Sequence, residues 1–171
     1  EMDYRPNYAA RSLASKQSRT LGLITYAMNY YGPAQMIIHI EQSARQAGYD
    51  LVFGNIHVLD EGEILATVNR LVHWPLDGLM LIAPVESPTL ADLHSRIDGV
   101  PLVQIGVSAN ASGPSVVLDQ YAGGSLAVQH LIDSGHTRIA MIGGPPDWYD
   151  AQARHRAWYD TLVASGLEPG P

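Results

Sequence analysis

A chain of 171 residues, 46% apolar, has material for one domain or two small lobes with packed cores. It contains no cysteine, which excludes disulfides, thiolate nucleophiles and cysteine-ligated zinc. Ten basic against seventeen acidic residues leave a formal charge of −7, a poor surface for nucleic acid, and no apolar run nears the roughly 20 residues that span a bilayer.

The first stretch in chain order breaks the acidic pattern. Within YRPNYAARSLASKQSRTLGLI, Tyr4 to Ile24, lie Arg5, Arg11, Lys16 and Arg19, four of the ten basic residues. Residues 20–171 keep six basic against fifteen acidic groups, a formal −9. The segment lacks the apolar h-region of a secretory signal. Pro6 suits the first turn of a helix. Asn7 to Ala14 would then make two turns with Ala10 and Leu13 on one face. Such a helix is too short to stand alone in water. It suits a DNA minor groove, where an apolar side chain can wedge between base steps, or it is a linker that contacts nothing. Composition alone leaves both open.

The elements expected beyond it alternate. Leu21–Tyr26 is a strand, Ala34–Ala47 a helix stopped by Gly48, and Leu51–Asn55 a strand. Glu61–Val72 is a helix with Ile64, Leu65, Val68, Leu71 and Val72 at helical spacing, Gly78–Ile82 a strand, and Thr89–Ile97 a helix. Leu102–Ile105 and Ser115–Leu118 are strands with no helix between them, joined by the turn-rich GVSANASGP. Tyr121–Ser134 is a helix ended by Gly135, Ile139–Ile142 a strand, and Asp150–Ser165 a helix ended by Gly166. Continuous apolar strands indicate burial on both faces, so the fold class is α/β with doubly wound parallel sheets. The missing crossover helix marks a change of lobe. The expected divisions are a tail at 1–19, a first lobe at 20–118 and the start of a second at 119–171. A second lobe with so few strands is incomplete, and the chain is expected to be a piece of a longer protein.

Catalytic signatures are missing. No GxGxxG or GxxxxGK[ST] occurs. Gly123-Gly124-Ser125-Leu126-Ala127 only half matches a nucleophile elbow, and the seven histidines show no HxxxH spacing. No enzyme activity, cofactor or metal is expected. Ligands of open α/β sheets bind beyond the carboxyl ends of the strands. There this chain offers Tyr26, Asn29, Tyr30, Tyr31 and Asn55, then Trp148, Tyr149 and Arg154 after the last strand. Stacking faces beside hydrogen-bonding groups suit a small polar ring, a sugar or a nucleobase. On the plainer reading Tyr30 and Tyr31 cover a helix N-terminus and Trp148 anchors a loop.

RPNYAARSLASKQSRTLGLI resembles the hinge helix and first core strand of the lactose/galactose-repressor (LacI/GalR) family of bacterial transcription regulators. VVLDQYAGGSLAVQHLIDSGHTRIAMIGGPP is similar to that family's core segment, with Asp119, Gly123, Ala127, His130, Gly135, His136 and Gly144 in order. VHWPLDGLMLIAP and GVPLVQIG resemble the regions between. The resemblance runs from Tyr4 to Pro171. It implies a type I periplasmic-binding-protein-like core of two lobes, a carbohydrate effector between them, and a helix-turn-helix ahead of the hinge. It also implies a cytoplasmic homodimer on operator DNA with no membrane partner. Hinge contacts to DNA would come from Asn7, Ala10, Arg11 and Leu13, with Leu13 at the operator centre. Effector contacts would include Tyr26, Tyr31 and Arg154, joined by Asn29, Asn55, Trp148 and Tyr149 from the strand ends. Gly106 stands where many members place an aspartate, and Ile82 and Ala83 where some sugar binders use a polar side chain. Asp119 would fix the lobe junction by bonding loop amides, and His136 would cap a helix end. Glu61–Val72 and Leu90–Ile97 are the expected dimer surface. The rival from another class is an extracytoplasmic sugar receptor of a transport system, which has no use for a basic hinge helix.

Overall fold

The computed structural model describes residues 17–58, 60–83, 93, 97, 99–106 and 113–170. They fall into two compact units. Of these, residues 17–58, 60–83, 93, 97, 99–105 and 113–115 belong to the first, and residues 106 and 116–170 to the second. In chain order the elements are β1 (Thr20–Tyr26), α1 (Tyr31–Gln46), β2 (Asp50–Ile56), α2 (Glu61–Val72), β3 (Gly78–Ile82), β4 (Leu102–Ile105), β5 (Ser115–Val116), α3 (Gln120–Asp133) and α4 (Tyr149–Ala164). Among the described residues no helix is long and apolar enough to cross a membrane.

The sheet has the order β2-β1-β3-β4-β5. β1 runs parallel to β2 and β3, and β3 parallel to β4. The register sets Ile24 between Gly54 and Leu81, and Thr25 between Asn55 and Ile82. Leu23, Ile24 and Thr25 are fully buried, as a central strand covered on both faces requires. The first core gathers Ile24, Ile56, Leu79, Leu81 and Leu102 of the sheet with Ile64, Val68 and Leu71 of α2. Each of those three α2 side chains contributes roughly 1.5–3 kcal/mol by leaving water. In the second unit Val128, Ile139, Trp158 and Leu162 form a separate core.

Local signals explain the helix ends. Asp60 caps α2 by accepting from the Glu63 N–H at 2.9 Å. Asp119 caps α3 by accepting from the Ala122 N–H at 2.8 Å, an amide of its own helix. At the other ends Gly48, Gly135 and Gly166 take φ of +78°, +88° and +71°. The next residue's N–H then closes each helix: Tyr49 onto Ala44 O, His136 onto Leu131 O, Leu167 onto Leu162 O. His136 thus ends its helix with its main chain, while its side chain is exposed.

Several expectations need correction. Residues 136–145 form no strand, although Ile139–Ile142 reads as one. Among the described residues no strand pairs with it, and the Ile139 carbonyl accepts instead from Trp158 Nε1 at 3.1 Å. An apolar run reports burial, whereas a strand needs ladder partners. Ser115–Leu118 shortens to Ser115–Val116, with Leu118 exposed. α1 begins three residues earlier than its apolar spacing indicates, because Pro33 is tolerated in a first turn. Of the expected helix Thr89–Ile97 only Leu93 and Ile97 lie within the described residues, both in the core. The apolar faces proposed for dimerisation at α2 and at Leu93 and Ile97 are therefore spent inside the first unit.

Candidate functional site

The strand order reverses direction around β1, and crevices in such sheets open beyond the carboxyl ends of the strands at that reversal. A cleft of about 480 Å³ lies there, lined by Tyr26 and Asn55 at the strand ends, by the loop residues Ala27 to Tyr30, and by Ile56 and His57. Ala27 has a φ of +59°, uncommon for a residue with a side chain. The Tyr30 N–H closes this turn on Ala27 O at 3.0 Å. The turn brings Met28 and Asn29 to the cleft and starts α1, whose N-cap is Tyr30, with no capping bond from its side chain.

The amide of Asn55 supplies the polar floor. Its Nδ2 lies 3.4 Å from both ring nitrogens of His57. Its Oδ1 is buried and has no hydrogen-bond partner, as is Thr25 Oγ1 on the neighbouring strand. Native structures rarely leave such an acceptor unpaired. His57 is held by its backbone: Glu63 reaches back from α2 to accept from the N–H of His57 at 2.8 Å and of Val58 at 2.6 Å. Those two amide bonds hold the Glu63 carboxyl below its ordinary range. The cleft residues are aromatic, amide, imidazole and apolar groups, with no carboxylate, serine or lysine among them. Among the described residues no cluster of three His, Cys, Asp or Glu could hold a metal.

Of the residues singled out in the first unit, Tyr26, Asn29 and Asn55 share this cleft, and Tyr31 does not line it. Tyr31 is 82% exposed as the first residue of α1. Tyr30 takes the aromatic place beside Tyr26 instead, and His57 joins it. Both stand at strand ends in the sequence, but nothing local tells which of two adjacent tyrosines turns inward.

In the second unit Trp148 is the N-cap of α4 and Tyr149 its first residue. Arg154 lies one turn further and donates from Nη1 to Gln120 Oε1 at 2.6 Å, at the start of α3. Asp150 faces the same arginine. Burial pushes its carboxyl above the usual range, and Arg154 only partly opposes this. Gln120, missed in the sequence, fixes the arginine singled out for effector contact. α3 and α4 approach closely enough that a Cβ on Gly124 would stand 2.9 Å from Ala157 Cβ. Gly124 therefore belongs to a helix crossing and not to a nucleophile elbow. Gly106 takes a φ of +76°, which gives the departure from aspartate a backbone reason. Asn7, Ala10, Arg11 and Leu13 lie outside the described residues.

The family model for periplasmic binding proteins and the sugar binding domain of the LacI family matches residues 27–170. The lactose operon repressor of Escherichia coli K12 is 27% identical over 99% of this chain and 47% of its own length. The ribose operon repressor of the same strain is 31% identical over 98% and 51%. The chain thus spans about half the length of these curated relatives. Among solved structures, the lac repressor dimer bound to operator and the anti-inducer ONPF superposes with a TM-score of 0.88 at 26% identity, over 98% of this chain and 58% of that one. The lac repressor bound to ONPG in the repressed state gives 0.89 at 26%, over 98% and 51%.

Proposed function

Since this chain belongs to the family of periplasmic binding proteins and LacI sugar-binding domains, we propose that it is the effector-binding part of a ligand-responsive transcriptional regulator. On this reading it is a cytoplasmic binding protein with no catalytic role. It takes a carbohydrate effector and acts as a homodimer on operator DNA. The observation that carries the reading is the cleft at β1 and β2, with the faces of Tyr26 and Tyr30 beside amides and a buried, unpartnered Asn55 Oδ1. A sugar hydroxyl is the donor such an acceptor suits, and tyrosine faces suit the apolar side of a pyranose or furanose ring. Arg154, fixed by Gln120, is proposed as a further effector donor, with Trp148 and Tyr149 near it in sequence. The relatives are named as repressors and regulators, which supports this reading over a transport receptor.

The DNA contacts are proposed at Asn7, Ala10, Arg11 and Leu13. For the dimer we look to β2, an edge strand that carries the 46% exposed Phe53. An exposed edge with an aromatic on it calls for cover. Calorimetry of the full-length protein against pentoses, hexoses, disaccharides and nucleobases tests the effector class. Asn55→Ala should weaken the best sugar about tenfold or more, since removing a buried hydrogen-bonding group costs roughly 1–3 kcal/mol. A ligand bound equally well by Asn55→Ala would remove the cleft from the effector site.

A further inference from the structure

The chain enters β1 through bonds that the effector cleft does not use. Asp77, the residue before β3, spends both carboxylate oxygens on the two residues ahead of β1. Its Oδ1 accepts from the Ser18 N–H at 2.8 Å and from Ser18 Oγ at 2.9 Å, and its Oδ2 accepts from the Arg19 N–H at 3.0 Å. The Asp77 N–H in turn donates to the Thr20 carbonyl at 2.8 Å. Arg19 then turns the chain with a φ of +54°, a conformation that a residue with a side chain keeps only when neighbours hold it. Here they do. Besides Asp77 on its N–H, the Arg19 carbonyl accepts from the Asp50 N–H at 2.8 Å, and its guanidinium lies 5.5 Å from the centre of the Tyr49 ring.

We propose that Asp77 is a positioning residue for DNA binding: by holding Ser18 and Arg19 it sets the direction in which the basic segment leaves the first unit. This inference rests on reading that segment as a DNA contact. A specific site needs the segment in one place, so freedom at the junction weakens specific binding by the ordering it must then undergo. Loose contacts to phosphates make no such demand. Charge alone acts in the opposite direction, because removing a carboxylate from an acidic chain strengthens its general attraction to DNA. The two effects therefore differ in sign.

The test uses full-length protein carrying Asp77→Asn, with Ser18→Ala as a milder variant that removes only the hydroxyl donor. These 171 residues contain no cysteine, so once any cysteine elsewhere in the full-length protein is replaced by serine, Gln17→Cys accepts a single nitroxide, and exposed Ala66→Cys on α2 serves as the control. Asp77→Asn should mobilise the label at 17 and leave that at 66 unchanged. It should weaken binding to a duplex selected from a random pool about tenfold, the loss of a charge-assisted bond. Binding to a scrambled duplex should hold or tighten. Ser18→Ala should move the same readouts less. An immobile label at 17 in Asp77→Asn would overturn the positioning role whatever the DNA result. A mobile label with unchanged affinity for the selected duplex would overturn its link to DNA. A wild-type protein that binds both duplexes equally would instead overturn the DNA reading of the segment, and this role with it.

Discussion

Gly123 and Gly124 stand side by side in α3, and the structure assigns opposite signs to the same substitution at the two. A Cβ at Gly123 meets nothing within 4 Å. Gly123→Ala should therefore show the helix preference alone, a stabilisation of about 0.5–1 kcal/mol. A Cβ at Gly124 would lie 2.9 Å from Ala157 Cβ and 3.5 Å from Arg154 Cα and O. None of these atoms is the free end of a flexible side chain, so the helices must move apart. Overpacking of this kind costs about 1–3 kcal/mol, which outweighs the preference and leaves Gly124→Ala about 1 kcal/mol less stable than wild type. The two variants should differ by about 2 kcal/mol. Urea unfolding followed by tryptophan fluorescence reads this out. A Trp74→Phe, Trp148→Phe background removes the other two tryptophans of the chain and leaves Trp158 to report its own core. On the proposed role of Arg154 as an effector donor, Gly124→Ala should also weaken effector binding, since Arg154 forms part of that crossing. A Gly124→Ala protein as stable as Gly123→Ala would refute the close packing of α3 on α4.

Asp150→Asn tests the raised carboxyl. The folded state binds that proton more tightly than the unfolded state, so its contribution is present below the unfolded value and lost as pH rises through the folded one. The variant should melt higher than wild type at neutral pH, with the gap closing on acidification in a pH series of melts. Phe53→Asp should shift the full-length protein towards monomer in micromolar sedimentation, weakening a dimer that buries this ring by about 2 kcal/mol or more. Leu13→Ala should weaken operator binding by about 1–3 kcal/mol and leave random-duplex binding unchanged, whereas Arg11→Ala should weaken both and flatten the salt dependence. Titrations on both duplexes across a salt series separate the two.

Much was legible in the residues alone. α2, β3 and β4 have the bounds that periodicity and composition indicate, and three helices stop at the expected glycines, because caps and repeat spacing act over a few residues. The family resemblance was legible for the same reason, as short motifs in order. Only tertiary structure decided the rest. It turned Tyr30 and not Tyr31 into the cleft, through the left-handed turn at Ala27. It spent the apolar face of α2 on the first core and left Ile139–Ile142 without a ladder. It drew Asp77 onto Ser18 and Arg19 across 59 and 58 positions of chain. An apolar or charged side chain announces that it needs a partner, and local sequence settles that much. Which partner it meets depends on strand order, register and helix crossing, which no window of neighbouring residues contains.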